Sequence, residues 1–347
     1  MIKKDFKLLD FQKDGVNFIY SSRAVIIGDE MGLGKSLQAL AFSDWLGKPT
    51  LIVCPAYLIN NWKQEIAKFL VKSKATFEIL SYDALKKKEV GYFKKFSFVV
   101  ADEIQQLKNM KAQRTEVFHM QFKKNPPKYF AGLSGTPIQN RISEFYALIK
   151  LLSMHPSNSN GLKIDKLYDT EESFCDHFAY VRGLRVNGFR LKRYSGVRNL
   201  EDLKKLLKKK YIRRLADDIL DLPELREKEV SFPLSEIKKM DARMRIDFEH
   251  GASHISTTKA VSALAKAQYT AKYAIDIIEE VGQVVIFTDH VEACKALFLG
   301  VIRRHSAHVI KGSTPSSKRQ GYIDEFQKGR VKALICMIVA ALVGFTI

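Results

Sequence analysis

The sequence predicts an α/β protein of two lobes, each with a parallel sheet covered by helices. Three observations predict this class. Short apolar runs rich in β-branched residues alternate with helical patterns between Ala24 and Leu133, and the same alternation resumes after Gly282. A segment rich in Lys and Arg, with few strand signals, separates the two regions. Strands that are apolar on both faces and joined through helices are typical of parallel sheets.

Five apolar runs predict the strands of the first lobe in chain order. Helical patterns lie between them, for example over Leu58 to Leu70 and Gln113 to Phe122, and predict the covering helices. The predicted strands are Ala24 to Ile27, Leu51 to Cys54, Phe77 to Ser81, Phe98 to Ala101 and Tyr129 to Leu133. We therefore assign residues 1–152 to the first lobe.

The remaining residues predict a basic segment and a second lobe. The run KKLLKKKYIRR, from Lys204 to Arg214, is typical of a solvated helix face or of a polyanion contact. Apolar steps of three and four residues predict helices over Leu234 to Glu280, and QVVIFTD, HVIKGS and VKALICMIV predict strands. We expect a basic, mainly helical insertion over 153–225, then a helical segment and the start of a second lobe over 226–347. This second lobe is expected to be incomplete.

Composition predicts a soluble intracellular protein that attracts polyanions. Lys and Arg number 57 against 38 Asp and Glu, a formal net charge of +19. Such an excess draws phosphate-rich polymers, although it does not distinguish DNA, RNA or an anionic membrane, and a merely soluble basic surface is the alternative. The four cysteines form no CxxC pair and indicate a reducing compartment. The stretch MIKKDFKLLDF lacks the long apolar core of a signal peptide, so we expect no secretion and a location in the cytoplasm of a prokaryote or virus-infected host, or in the nucleus.

The stretch DEMGLGKS, from Asp29 to Ser36, predicts a phosphate-binding loop between the first strand and a helix. Glycines let backbone N–H groups surround phosphate oxygens, the lysine provides a point charge, and the serine hydroxyl can bind Mg²⁺. The generic pattern has glycine where Asp29 stands. The predicted nucleotide contacts are Gly32, Leu33, Gly34, Lys35 and Ser36.

The stretch VVADEIQQLKN places two acids directly after the predicted strand Phe98 to Ala101. Carboxyl ends of parallel strands form the ligand edge of α/β sheets. We therefore expect Asp102 to hold Mg²⁺ with Ser36, and Glu103 to orient and deprotonate the attacking water. Adjacent surface charges are the alternative. Lys35, Asp102 and Glu103 are the predicted catalytic residues.

The ordered set of motifs resembles that of Swi/Snf-type DNA translocases, a branch of the superfamily 2 helicases. The resemblance extends over nearly the whole chain, and the RYSGVRNLEDLKKLL stretch favours the annealing-helicase-like (HARP-like) branch over nucleosome remodellers. The matching stretches are LLDFQKDGV, GDEMGLGKS, LIVCPAYLINNWKQEI, ILSYDAL, VVADEIQQLKN, GLSGTPIQN, YIRRLADDILDLPELREKEV, VVIFTDH, HVIKGSTPSSKRQ and ICMIVAALVGFT. The resemblance implies two RecA-like lobes that bind ATP and Mg²⁺ and move along double-stranded DNA.

The resemblance also implies roles for residues outside the two nucleotide motifs. Gln12 would contact the adenine edge, for which an amide has both a donor and an acceptor. Gln105 would lie near the γ-phosphate, and Ser134, Gly135 and Thr136 would couple the nucleotide site to the DNA track.

The DNA track implied by the resemblance consists of short loops that grip phosphates without reading bases. Trp62 has a second interpretation as an ordinary core residue on an amphipathic helix. The implied positions are Pro55, Asn61, Trp62, Ser81, Tyr82, Lys108, Asn109, Gln139 and Asn140, with Gly312, Ser313 and Thr314 from the second lobe.

Three positions depart from the family pattern, namely Gly28, Met337 and Leu342. The sequence also ends before the motif that would supply an arginine finger, a group typically worth about 10³ to 10⁵ in rate. We therefore expect ATP and DNA binding with weak ATP hydrolysis. A strand-separating helicase and a non-hydrolytic DNA-binding module are the alternatives.

Overall fold

The computed structural model describes residues 7–70, 73–136, 141–158, 168–186, 189–221, 227–231 and 255–338. They belong to two units, one ending at Glu224 and the other beginning at Leu225. Among the described helices, none combines the length and the apolar character that a membrane crossing requires.

Eight α-helices and eight strands are described in the first unit, apart from short 3-10 turns. The helices are α1 (Asp10–Ser22), α2 (Lys35–Leu46), α3 (Ile59–Phe69), α4 (Tyr82–Leu85), α5 (Gln113–Lys124), α6 (Ser143–Ser153), α7 (Glu171–Phe178) and α8 (Leu200–Leu207). The strands are β1 (Ala24–Ile27), β2 (Thr50–Cys54), β3 (Phe77–Ser81), β4 (Phe98–Asp102), β5 (Tyr129–Leu133), β6 (Tyr180–Val186), β7 (Phe189–Ser195) and β8 (Tyr211–Ile212).

The main sheet of this unit has six parallel strands in the order β3-β2-β4-β5-β1-β8. All five strands predicted for the first lobe are present, with ends that agree to within one residue. Strands β1, β2 and β5 are buried along their whole length, which explains why they read as uninterrupted apolar runs. The prediction of a parallel sheet is confirmed.

Helices cover both faces of this sheet with separate apolar clusters. One cluster includes Phe118, Phe122 and Phe130, which pack edge to face. The other includes Phe42 and Phe98, whose ring centroids lie 4.9 Å apart. Because both faces are filled, only the strand ends remain available for a site.

The part of the first unit from 168 to 221 combines helices with strands. Helix α7 packs on α6, β6 and β7 form an antiparallel hairpin, and β8 extends the main sheet beside β1. The buried ammonium of Lys210 donates to the carbonyl of Ser22 at 2.9 Å, and burial lowers its pKa to about 8. The segment predicted as mainly helical thus includes three strands, and one of them belongs to the sheet.

The first helix described in the second unit is a long one. It contains α9 (Ile255–Val281), β9 (Val284–Thr288), α10 (Val291–Val301), β10 (Ala307–Ile310), α11 (Ser316–Gln327) and β11 (Ala333–Met337). The three strands are parallel in the order β10-β11-β9 and match the three predicted runs. Ala267, Ala271, Ala274 and Ile278 form the buried stripe of α9. The predicted α/β class is therefore confirmed in both units.

Candidate nucleotide-binding site

The carboxyl ends of the central strands meet at one edge of the first sheet. The phosphate loop follows β1, Asp102 ends β4, and Ser134 follows β5. The register pairs Leu133 with both Ile27 and Asp102, so the last residues of these three strands lie side by side. In parallel α/β sheets this edge is where ligands bind. The phosphate loop and the acidic motif are therefore brought to one place, with β5 between them.

The phosphate loop, Asp29 to Ser36, has the backbone of an anion cradle. Gly32 and Gly34 have φ angles of 85° and 72°, a region that favours glycine. A Cβ at Gly32 would meet no atom within 4 Å, whereas a Cβ at Gly34 would lie 2.6 Å from Nε2 of Gln12. Helix α2 begins at Lys35, and the first N–H groups of a helix have no carbonyl partner within it. The loop therefore offers backbone donors at the positive end of a helix dipole.

The ammonium group of Lys35 lies against the loop. Its Nζ donates to the carbonyl oxygens of Asp29 at 2.8 Å and Glu30 at 3.0 Å. Burial lowers the pKa of Lys35, while the carboxylates of Glu103, Asp102 and Asp29 partly offset that shift. Lys35 is therefore close enough to both acids of the second motif for their charges to affect its pKa. A shared triphosphate pocket stays a prediction.

Asp29 stands where glycine is usual because its carboxylate is part of a buried ion pair. The residue is fully buried, and Arg214 donates to both of its oxygens, Nε to Oδ1 at 2.9 Å and Nη2 to Oδ2 at 2.7 Å. Gln38 Nε2 donates to Oδ2 at 3.0 Å, and Arg214 also donates to the carbonyl of Phe11. A buried carboxylate is tolerated only with such partners. Asp29 therefore ties the phosphate loop to the residues that follow β8.

Gln12 is buried on α1 and lies against the same loop. Its Oε1 accepts from the N–H of Leu9 at 3.1 Å, and its Nε2 donates to the carbonyl of Leu33 at 3.4 Å. Gln38 donates to that carbonyl at 3.4 Å. The Leu33 side chain is buried, so this residue is available to a ligand through its backbone. The adenine contact of Gln12 stays a prediction.

Asp102 is held by residues that the family resemblance assigned to DNA. Trp62 Nε1 donates to Oδ2 of Asp102 at 2.8 Å, and the Tyr82 hydroxyl donates to its carbonyl oxygen at 2.8 Å. The N–H of Glu103 donates to Oδ1 at 3.0 Å. Burial and the Glu103 charge raise the pKa of Asp102 to about 6, against the lowering effects of the Trp62 hydrogen bond and the Lys35 charge. The carboxylate is therefore fixed in orientation.

The side chains of Trp62 and Tyr82, two of the predicted DNA positions, are directed into the protein. Their side chains are 1% and 4% exposed and point to Asp102. Trp62 is a buried residue of the apolar core on α3, as its second interpretation predicted. At these two positions a DNA contact stays a prediction for the backbone alone.

Glu103 and Gln105 form a coupled pair after β4. Glu103 has a φ of 49°, a left-handed conformation that is uncommon for a residue with a side chain. Gln105 Nε2 donates to Oε2 of Glu103 at 2.5 Å. Within the described part of the chain, the buried Oε1 of Gln105 has no hydrogen-bond partner. Backbone strain and an unsatisfied buried acceptor are features that functional sites retain, although the nearness of Gln105 to a γ-phosphate stays a prediction.

The coupling motif after β5 adjoins the loop. The buried Oγ of Ser134 accepts from the N–H of Thr136 at 3.0 Å. A Cβ at Gly135 would lie 3.5 Å from Nζ of Lys35, and Arg213 Nη1 donates to the Gly135 carbonyl at 2.9 Å. The backbone of this motif is therefore in contact range of the lysine that is predicted to hold phosphate.

Other predicted DNA positions of the first unit line the same sheet edge. They are Pro55 and Asn61 after β2, Ser81 at the end of β3, and Lys108 and Asn109 after β4. Asn109 is exposed, and Lys108 Nζ pairs with Oε1 of Glu144 at 3.1 Å. Because β3, β2 and β4 are consecutive in the sheet, these positions form a row on one side of the phosphate loop. Gln139 and Asn140 lie outside the described residues.

The second unit contributes the positions Gly312, Ser313 and Thr314, which follow β10. Arg319 donates to the carbonyl oxygens of Gly312 at 3.0 Å and Thr314 at 2.8 Å. Gly312 and Ser313 are exposed. Their DNA contacts stay predictions, and Leu342 lies outside the described residues.

The sequence analysis missed Arg213 and Arg214 as parts of the site. Both follow β8 and are about 185 positions from the loop residues they contact. The sequence contains one indication of such a residue. An acid that replaces glycine after a buried strand requires a cationic partner. The sequence alone did not identify which of the many cations fills that role.

The residues at this edge fit a nucleotide with Mg²⁺. Ser36 is half-buried in the first turn of α2, and Asp102 provides carboxylate oxygen, so both offer the hard oxygen ligands that Mg²⁺ prefers. Each Asp102 oxygen accepts one hydrogen bond and keeps a lone pair. The unsatisfied acceptor of Gln105 lies beside Glu103 and suits a bound water.

Two family models match the chain. One is described as SNF2-related domain and matches residues 11–83 and 74–244. The other is described as Helicase conserved C-terminal domain and matches residues 266–347.

Curated relatives match along almost the whole chain. A SWI/SNF-related matrix-associated actin-dependent regulator of chromatin subfamily A-like protein 1 homolog from Caenorhabditis elegans is 29% identical, over 98% of this chain and 53% of the relative. The DNA annealing helicase and endonuclease ZRANB3 from Homo sapiens is 26% identical, over 98% of this chain and 34% of the relative. The chain thus spans between about a third and about a half of the relatives it matches. The SWI2/SNF2 ATPase core of Sulfolobus solfataricus, solved with dsDNA, gives a TM-score of 0.48 at 18% identity, covering 96% of this chain and 78% of that one.

Proposed function

Because this chain belongs to the SNF2-related domain family, we propose that it is part of an ATP-driven motor that moves along double-stranded DNA. One observation supports the proposal most directly. Lys35 follows β1 and the two acids end or follow β4, yet the register brings these strand ends to one edge, where the charges of Asp102 and Glu103 oppose the lowering of the Lys35 pKa by burial. A cation for phosphate and two carboxylates at one sheet edge are the set that phosphoryl transfer to water requires.

Each residue at this edge has a proposed task. Lys35 binds the outer phosphates and Gln12 the adenine edge, while Ser36 and Asp102 hold Mg²⁺. Glu103 accepts a proton from the attacking water, with its carboxylate oriented by Gln105. When bound, ATP with Mg²⁺ supplies the phosphoanhydride bond whose hydrolysis releases free energy for movement.

DNA is the proposed track for two reasons. Some of the relatives that match the whole chain are named as DNA annealing helicases. The net charge of +19 also favours a polyanionic partner. The row of positions after β3, β2 and β4 would grip the phosphate backbone next to the nucleotide residues, so a change at Glu103 or Lys35 could alter that grip. An intracellular location suits the four buried free thiols.

The proposal is tested by ATP hydrolysis with duplex DNA, single-stranded DNA and RNA as separate additives. We expect stimulation by duplex DNA. Glu103→Gln is expected to lower the stimulated rate by about 10² to 10⁴, the usual contribution of a positioned general base, while binding of a fluorescent ATP analogue persists. Lys35→Ala is expected to abolish binding of that analogue. Glu116→Gln, an exposed carboxylate on α5, is the matched control and is expected to behave like the wild type.

A triplex-displacement assay beside a strand-unwinding assay separates the translocase from a strand-separating helicase. Displacement without unwinding is the expected result. Unchanged hydrolysis in Glu103→Gln, or equal stimulation by RNA and duplex DNA, would contradict the proposal.

A further inference from the structure

We propose that the antiparallel hairpin of β6 and β7, here called the basic hairpin, is a second DNA-binding element that contacts the phosphodiester backbone. The inference rests on the proposed function, since it assumes that the chain works on DNA. It goes beyond that function because the hairpin lies outside the strand-end loops assigned to the track. The two strands, YVRGLRV and FRLKRYS, contain five cationic residues and no acid.

The register of the basic hairpin places like charges directly opposite each other. Arg182 lies directly opposite Arg193. Like charges in directly opposed positions destabilise a two-stranded ribbon. This repulsion lowers the stability of the free protein, and a polyanion bound across Arg182 and Arg193 would relieve it.

The two faces of the basic hairpin differ in how their charges are compensated. On one face Lys192 pairs with Glu172 at 2.8 Å and with Asp176 at 2.7 Å, and the Tyr194 hydroxyl donates to Asp176 at 3.0 Å. Arg193 is the next residue and therefore points to the other face. Among the described side chains, helix α7 therefore compensates the charge of Lys192 and not that of Arg193.

The cations of the other face are available to a ligand. Arg182 and Arg193 are exposed, and across the described ranges of the chain their side chains form no ion pair and no hydrogen bond. Tyr180, at the end of the same face, is 59% exposed. Guanidinium groups bind phosphate oxygens through two parallel hydrogen bonds, and an exposed ring can pack on a sugar or base. Paired arginines beside an aromatic side chain favour a nucleic acid over an acidic protein surface.

The basic hairpin is also held firmly to the unit that contains the nucleotide residues. The N–H of Arg198 donates to the Phe178 carbonyl at 2.9 Å, and Asn199 Nδ2 donates to the His177 carbonyl at 2.8 Å. Phe174 and Phe178 of α7 are buried in the core of the first unit. The arginine pair is therefore presented by a fixed support, which reduces the conformational entropy lost on binding.

The experiment measures the salt dependence of DNA binding by the whole chain. A fluorescent duplex and a single strand of the same length are titrated between about 50 and 200 mM salt. For the double variant Arg182→Gln/Arg193→Gln, the slope of log K against log salt is expected to fall by about 1.8 on duplex DNA, at about 0.9 for each lost phosphate contact. The variant Arg182→Lys/Arg193→Lys keeps the charges and is expected to keep most of the slope.

The matched control is Lys123→Gln/Lys124→Gln, which removes two exposed cations at the end of α5. It is expected to leave the slope unchanged.

Loss of slope on duplex alone, on single strand alone, or on both supports the proposal and identifies the strand form that is bound. An unchanged slope in the Gln variant, or an equal loss in the control, overturns it. If the wild-type chain binds neither DNA, the proposed function itself fails, which is a distinct outcome. A thermal unfolding midpoint no lower than the wild type's excludes misfolding of the Gln variant.

Discussion

Two pairs of arginines in the first unit differ in their hydrogen-bond partners. Arg213 and Arg214 each donate to named acceptors of the phosphate loop or of the coupling motif, and the Arg214 side chain is only 14% exposed. Arg182 and Arg193 face each other across a hairpin in exposed positions. A charge that leaves water requires a partner inside the protein, whereas an exposed charge can keep its binding capacity for another molecule. The comparison separates cations that build the site from cations that are available to a partner.

The difference has a consequence for stability. Removing Arg214 leaves the carboxylate of Asp29 without a counter-charge in a medium that solvates it poorly. Removing one from the exposed pair leaves nothing stranded and ends a repulsion. Removal of an arginine is therefore expected to lower the free energy of unfolding at Arg214 and to raise it at Arg182 or Arg193.

The largest stability effect is expected for Arg214→Ala. Asp29 would stay fully buried with only Gln38 to hydrogen-bond it. Breaking a buried pair by removing one partner typically costs about 3 to 5 kcal/mol. The free energy of unfolding is measured by urea titration with tryptophan fluorescence, which reports on this unit because Trp45 and Trp62 both lie in it.

The control for Arg214→Ala is the double variant Asp29→Asn/Arg214→Ala. It also removes the buried charge, and we expect it to recover most of the loss. If the single and double variants have equal free energies of unfolding, Arg214 does not stabilise the protein by compensating the charge of Asp29.

An intermediate effect on stability is expected for Asp102→Asn. This variant tests how much the buried carboxylate, which the site requires, destabilises the fold. Burial raises the pKa of Asp102 from 3.8 to about 6. The contribution of the protonated Asp102 carboxyl to the free energy of unfolding is therefore fully present below about pH 4. It is lost as the pH rises through 6, because the folded state resists ionisation of this group. Above pH 6 the Asn variant is expected to be more stable by about 1 to 3 kcal/mol, discounted because Asp102 is partly exposed.

The check is a set of urea titrations between pH 4 and pH 8, without nucleotide. The stability gain of Asp102→Asn is expected to vanish near pH 4, while ATP hydrolysis is strongly reduced at every pH. A gain that is the same at all pH values would contradict the raised pKa as its cause.

The two regions also mark what the sequence could predict. Local alternation of apolar runs predicted eight strands and the edge where Lys35, Asp102 and Glu103 meet, because strand ends in parallel sheets share that edge. Partners far apart in the chain were not predictable in this way. Asp29 and Arg214 are 185 positions apart, and Trp62 and Asp102 are 40 apart. The family resemblance assigned Trp62 and Tyr82 to the DNA track. Because a motif gives the position of a residue and not the direction of its side chain, it could not predict that both side chains contact Asp102.

The basic segment was the least predictable region. Its cationic composition obscured the short apolar signals of β6, β7 and β8, so the segment was expected to be mainly helical. Strand β8 has only two residues and joins the sheet through its pairing with β1. Such a strand is specified by tertiary contacts and not by its own pattern. The domain boundaries at 152 and 225 stay predictions.

The smallest effect is expected for Arg182→Gln, which would sharpen the comparison because its sign is opposite to that of Arg214→Ala. Ending the repulsion with Arg193 is expected to raise the free energy of unfolding by about 0.2 to 1 kcal/mol, and the gain should shrink as salt screens the pair. Lys192→Gln is the matched control in the same hairpin. It removes the same charge but loses the contacts with Glu172 and Asp176, so its unfolding free energy should fall. Urea titrations at low and high salt measure both variants, and a destabilised Arg182→Gln would mean that this arginine has a partner within the protein.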